Sequence, residues 1–191
     1  MDHDRRPNHD VRHPVLVTLR AAAHVPSLRS IALFAAIRDS IAVADDRVFR
    51  VLHFSVQQDY LHAIVEGDSH SALTSGIRSL VIRIALAVKR LTRVGKVWGD
   101  RYHARALTTP REVRHAIVYV LLNFRKHLRA PAGVDPRSSG PWFDGWAQPS
   151  RSAAGPPPTS QPRTWLAAKG WRRGGLIDPR EAPSPARKIS R

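Results

Sequence analysis

The sequence predicts an α+β fold, an antiparallel sheet of about four or five strands with helices packed on it. Three observations carry this. Val51 to Gly67, VLHFSVQQDYLHAIVEG, reads as two strands joined by a tight turn at Gln58-Asp59. Two longer stretches, Leu28 to Ala44 and Ser71 to Arg93, place apolar residues at helical spacing. A third helix opens at Thr109 on a complete start signal.

Taken in order, residues 1–12 are polar and expected to be disordered. His13 to Ala22 alternates Val15, Val17 and Leu19 against more polar neighbours and predicts the first strand. Pro26-Ser27 then punctuates, with Ser27 as a helix cap, and Leu33, Phe34, Ile37 and Ile41 give the next helix its buried side. Paired strands over about 48–56 and 61–66 follow. Asp68 and Ser69 suit the cap of the second helix, whose stripe runs through Leu73, Ile77, Leu80, Val81, Ile84, Val88 and Leu91; Gly95 stands where a C-terminal glycine is expected. Lys96 to Leu107, KVWGDRYHARAL, predicts a strand or irregular ribbon. Thr109, Pro110 and Glu112 supply N-cap, first-turn proline and capping-box glutamate for a helix running to about Leu128.

At 191 residues the chain suits one domain with an appendage. It has no cysteine, so disulfides, thiolate zinc sites and cysteine nucleophiles are excluded. No apolar run reads as the roughly 20 residues of a membrane span, and the N-terminus lacks an apolar leader, so the expectation is a soluble protein, cytoplasmic in a bacterium. The net charge of +16 is unevenly placed: −1 over residues 1–77, +11 over 78–129 and +6 over 130–191. This suits a polyanion-binding face built on an ordinary core, a solvated surface being the plain alternative. The residues expected on that face are Arg78, Lys89, Arg90, Arg93, Lys96, Arg101, Tyr102, Arg105, Arg125 and Lys126.

Within the paired strands, residues alternate between faces, so Tyr60, His62, Ile64 and Glu66 point together. A histidine there is either a satisfied core residue or part of a site. On the last helix, Glu112, His115, Tyr119, Asn123 and Lys126 gather on a polar face, with Tyr119 and Asn123 one turn apart. Around Trp98, Tyr102 and Arg105, rings interleave with arginines, which suits either core packing or stacking on unpaired bases.

Three blocks in order, HFSVQQDYLHAIVEG at 53–67, GKVWGDRYHARAL at 95–107 and VYVLLNFRKH at 118–127, resemble the REP-associated tyrosine transposases. These are relatives of the single-tyrosine insertion-sequence transposases within the HUH endonucleases. The resemblance covers roughly residues 13–129, and PRTWLAAKGW at 162–171 also resembles part of that group. It implies a ferredoxin-like fold and a partner that is single-stranded or hairpin DNA, bound by a monomer or homodimer near the nucleoid. It further implies a divalent metal, Mg²⁺ or Mn²⁺, held by two strand histidines and a polar residue of the tyrosine helix, with the tyrosine forming a covalent 5′-phosphotyrosine. Carried over residue by residue, His62 is the second histidine, Tyr119 the nucleophile and Asn123 the third ligand.

One position departs from that pattern. Tyr60 stands where the first histidine belongs, and a neutral phenol, ionising at about 10, is a poor ligand for a hard cation. Glu66 shares its face but lies about 20 Å along the strand; His53 is on the neighbouring strand with its face open. Two functions therefore stand side by side. One is a working strand transferase with weakened metal affinity, favoured by the retained His62, Tyr119 and Asn123. The other is a DNA-binding module that has lost cleavage, favoured by Tyr60.

The segment 130–191 differs in composition, with 11 of 15 prolines, 7 of 11 glycines and 4 of 5 tryptophans, which predicts an extension without a core of its own. Trp142 and Trp146 are expected to pack back and cover a sheet edge. Trp165, Lys169, Trp171, Arg172 and Arg173 form a basic-aromatic cluster that is either a DNA-clamping arm or part of that cover.

Overall fold

The computed structural model describes residues 10–44, 46–125, 131–148 and 154–183. Strand β1 (Val15–Arg20) leads to α1 (Ile31–Ala44), the hairpin β2 (Phe49–Val56) and β3 (Tyr60–Gly67), α2 (His70–Thr92), the short β4 (His103–Ala106) and α3 (Pro110–Leu122). The four strands form one antiparallel sheet in the order β2-β3-β1-β4. The predicted α+β class and the two-residue turn at Gln58-Asp59 are both observed, the turn closed by Gln57 N–H donating to Tyr60 O at 2.7 Å.

The sheet buries both faces, and the strand alternation sorts residues between two cores. Val15, Val17, Leu19, Leu61, Ala63 and Val65 pack beneath α1 and α2. Ile64 and partly buried Leu16 face the other way, against α3. In β2 the register slips between Val51 and His53, so Leu52 is an extra residue there. That bulge sets His53 opposite Ile64 and Ser55 opposite His62, hence on the α3 side.

Several boundaries moved for local reasons. The first helix is capped by Ser30, whose hydroxyl accepts from Leu33 N–H at 3.4 Å, while Ser27 accepts from Arg29 N–H in the preceding turn. Leu28 is fully buried before the helix begins, and that anchors the turn. Ser69 caps α2 as expected. Its C-terminal left-handed residue is Arg93 (φ 58°), not Gly95. Helix α3 has the full capping box but ends at Leu122 with Asn123 as C-cap; Lys126 and Leu128 lie outside the described residues. Helix α2, at 23 residues, also reaches by length and composition the range of a membrane-crossing helix, contrary to the reading of the sequence. Leu73, Ile77, Leu80, Ile84 and Val88 are buried in the first core; of the rest of the predicted stripe, Val81 is partly buried and Leu91 is exposed near the helix end.

The C-terminal extension does contribute to a core, which its proline and glycine content did not suggest. Phe143, Trp146, Leu166, Ala167, Trp171 and Ile177 join Val113, Ile117, Val120 and Leu121 of α3 in the second core. Gly145 makes this possible, since a Cβ there would overlap the rings of Phe143 and Trp171. Large rings bury enough apolar surface to offset the entropy of ordering such a chain. The exposed edge of β2 is covered by backbone at 137–139 rather than by the tryptophans: Ser139 N–H donates to Phe54 O and Val56 N–H to Arg137 O, each at 2.9 Å.

A buried ion pair and a buried carboxylate help to fasten the extension. Asp135, fully buried, takes both guanidinium nitrogens of Arg29 at 2.8 Å and the Arg137 N–H at 2.9 Å. Glu66, at the far end of β3, accepts from the Arg163 and Thr164 backbone N–H groups and from Thr164 Oγ at 2.6 Å.

Candidate functional site

Beta alternation places Tyr60 and His62 on the α3 side of the sheet, and the antiparallel register extends their rows across it. His62 stands between Ser55 of β2 and Thr18 of β1, with His103 of β4 beyond Thr18; Tyr60 stands beside Arg20. Thr18 and Arg20 occupy the polar phase of the first strand, a signal present in the sequence but masked there by the apolar phase.

Helix α3 crosses this face. The phenol of Tyr119 lies 3.4 Å from His62 Nε2, with the rings edge-on at 5.0 Å and 70°. On the other side of the imidazole, Nδ1 is 3.0 Å from Thr18 Oγ1. Tyr60 stacks parallel to His62, centroids 5.8 Å apart and planes within 4°, and the Arg20 guanidinium carbon sits 5.7 Å from the Tyr60 centroid. His62 is only 3% exposed, so the core-histidine and site readings converge: it is buried, and it is held between a hydroxyl and a phenol. Burial, with Tyr60 next to it, pushes the Tyr119 phenol above its ordinary ionisation range. Neutral Tyr119 is therefore the resting form at neutral pH, and attack by its oxygen requires a proton acceptor. His62 Nε2 is placed to be one, provided Nδ1 carries the hydrogen and donates it to Thr18.

Asn123, one turn beyond Tyr119, is 3% exposed, and its amide nitrogen is buried without an acceptor.

The fold that carries these side chains has a solved counterpart. A solved structure of a REP-associated tyrosine transposase bound to a REP hairpin matches with a TM-score of 0.54 and 19% identity, over 66% of this chain and 74% of that one. Its fold is the fold of this chain. No protein-family model and no curated protein sequence matches.

The metal that such transposases imply does not fit the donors here. Tyr60 offers a phenol in place of imidazole. Neither His53 nor Glu66 replaces it: His53 shares the face of His62, but its ring packs edge-on against Phe143 at 5.2 Å. Glu66 is committed to Arg163 and Thr164. His103 is two strands from His62, about 10 Å across the sheet. Among the described residues no group of three or more His, Asp or Glu side chains could hold an ion.

The expected basic face divides. Arg78, Lys89, Arg90 and Arg93 are exposed on α2, which packs on the opposite side of the sheet from Tyr119, so they do not line its approach. Lys96 and Arg101 are exposed between α2 and β4. Tyr102 is half-buried against the first core, and Trp98 donates its indole N–H to Val81 O at 3.1 Å, which is the packing alternative for both rings. Arg105 shares the face of Leu16 and pairs with Glu112 at 3.2 Å. Arg125 donates to the Arg180 and Glu181 carbonyls, holding the extension rather than facing outward; Lys126 lies outside the described residues.

The C-terminal cluster divides too. Trp171 is 2% exposed in the second core and has no free face for a base. Arg172 pairs with Asp144 at 3.0 Å. Trp165, 49% exposed beneath Arg173, and exposed Lys169 remain at the surface. An open cavity of about 620 Å³ lies there, lined by Arg12, His13, Arg50, Asp68, Arg163 and Trp165, at the Glu66 end of β3 and away from Tyr119.

Proposed function

We propose that the chain binds single-stranded or hairpin DNA on the face of the sheet that carries Tyr60, His62 and Tyr119. The observation that carries this reading is the convergence of Tyr119 and His62 beneath a transposase-like fold, with Arg20 and Arg105 on the same face. The hairpin bound to the similar transposase supports DNA hairpins as the partner class. On this reading the protein works beside the nucleoid in a bacterial cytoplasm.

A second reading, strand cleavage, is favoured by one specific contact, the 3.4 Å approach of the Tyr119 phenol to His62 Nε2. The phenol oxygen would attack a backbone phosphorus and pass its proton to His62. The bond from phosphorus to the 3′ oxygen would break, that oxygen would leave as a 3′-hydroxyl after protonation, and the 5′ phosphate would stay on Tyr119. Attack by a 3′-hydroxyl would reverse the step and join strands.

The experiment uses end-labelled hairpin DNA with single-stranded flanks, resolved both on native and on denaturing gels, with Mg²⁺, with Mn²⁺ and with chelator. A retarded complex on the native gel is the expected result, and its absence in all three conditions would sink DNA binding. A covalent adduct that vanishes in Tyr119→Phe would establish cleavage. An adduct from Tyr60→His alone would leave the parent protein as a binding module.

A further inference from the structure

We propose that this site holds a DNA phosphate by the guanidinium of Arg20, without a metal ion. The inference rests on the DNA-binding reading above and assigns the group that meets the backbone there. Three observations point the same way.

First, a cation finds too few ligands here: His62 is a single imidazole, and among the described residues no three His, Asp or Glu side chains converge. His62 Nδ1 is 3.0 Å from Thr18 Oγ1, and its Nε2 faces a phenol.

Second, Arg20 stands beside the position that lost its histidine. It pairs with Tyr60 across the β1–β3 ladder, and its guanidinium lies 5.7 Å from the Tyr60 centroid. Tyr60 is itself stacked on His62, so Arg20, Tyr60, His62 and Tyr119 form one continuous row. A phenol ring attracts a guanidinium to its face, whereas a neutral imidazole bound to a metal would set two cations side by side.

Third, Arg20 is available. It is exposed, and among the described residues its side chain forms no ion pair. Arg105, on the same sheet face, is paired with Glu112, and Arg29 with Asp135. A guanidinium presents a planar fork that matches two phosphate oxygens, the charge neutralisation a divalent ion would otherwise supply.

The test measures anisotropy of a labelled DNA hairpin with a 5′ single-stranded flank, and of an unstructured oligonucleotide of equal length, in Mg²⁺ and in chelator. Mn²⁺ uptake by the DNA-free protein is followed by electron paramagnetic resonance. The expected result is hairpin affinity equal within about twofold in both buffers, roughly 10-fold weaker for Arg20→Ala in each, and partly recovered in Arg20→Lys. The free Mn²⁺ signal should be undiminished by the parent protein. Parent-like binding by Arg20→Ala, or collapse of parent binding in chelator, would overturn the proposal. So would stoichiometric Mn²⁺ uptake that His62→Ala abolishes, whether or not DNA binds. Loss of hairpin binding with the oligonucleotide still held through Arg20 would count against the hairpin reading alone; loss of both would remove the two together.

Discussion

Tyr119 and His62 are 57 residues apart in the chain, yet the phenol of one lies 3.4 Å from Nε2 of the other. The contact is made by two independent local rules. Strand alternation points His62 at α3, and the capping box at Thr109 fixes where α3 starts and therefore which of its residues face the sheet. Thr18 completes the arrangement from a third element by engaging Nδ1.

Replacing Thr18 by valine keeps the β-branched shape and removes the hydroxyl. Loss of one hydrogen bond should cost about 1 kcal/mol of stability, measured by urea unfolding. If His62 acts as the proton acceptor, covalent adduct formation should fall further than stability does, because the imidazole is then free to adopt the wrong tautomer. Unchanged adduct yield in Thr18→Val would remove the orienting role.

The Arg29–Asp135 pair links the start of the first helix to the start of the extension, with Asp135 fully buried and Arg29 15% exposed. Removing one member of a buried pair strands the other charge. Asp135→Ala should therefore destabilise by about 3–5 kcal/mol in chemical denaturation, while an exposed pair such as Arg38–Asp39 should be worth less than about 1 kcal/mol.

His53 gives the fold an acid sensitivity. Burial against Phe143 holds its imidazole down at about 4, below the 6.5 of an exposed histidine. The folded state therefore favours the neutral ring, and on acidification the unfolded chain takes up the proton first. Stability should be full above pH 6.5 and fall as pH drops from 6.5 towards 4, by up to about 3 kcal/mol. Urea midpoints across that range should flatten in His53→Gln; an equally steep fall in the variant would assign the effect elsewhere.

Arg93 adopts a left-handed conformation at the end of α2, φ 58°, while Gly95 two residues on does not serve as the cap. A side chain in that region costs about 1 kcal/mol, partly offset by the extra freedom of glycine in the unfolded chain. Arg93→Gly should raise stability by about 0.5 kcal/mol in thermal or urea unfolding. Because Arg93 lies on the face opposite Tyr119, hairpin affinity at the Tyr119 face should be unchanged within about twofold.

Much of the fold was legible in the chain because it is written in local patterns. Alternation over 51–67 gave the hairpin and its turn, helical periodicity gave α1 and α2, and Thr109, Pro110 and Glu112 gave the start of α3. The candidate site was legible as far as those periods extend: Tyr60 and His62 share a strand face, and Tyr119 and Asn123 share a helix face. Three things needed the assembled protein. The strand order β2-β3-β1-β4 brings Thr18 and Arg20 beside His62 and Tyr60, and no local pattern encodes which strand pairs with which. The bulge at Leu52 turns His53 towards α3 and then Phe143 encloses it, a one-residue slip that periodicity does not register. The extension also joins the second core, because burial of Phe143, Trp146 and Trp171 depends on a surface made by α3 and the sheet, which exists only after they have packed.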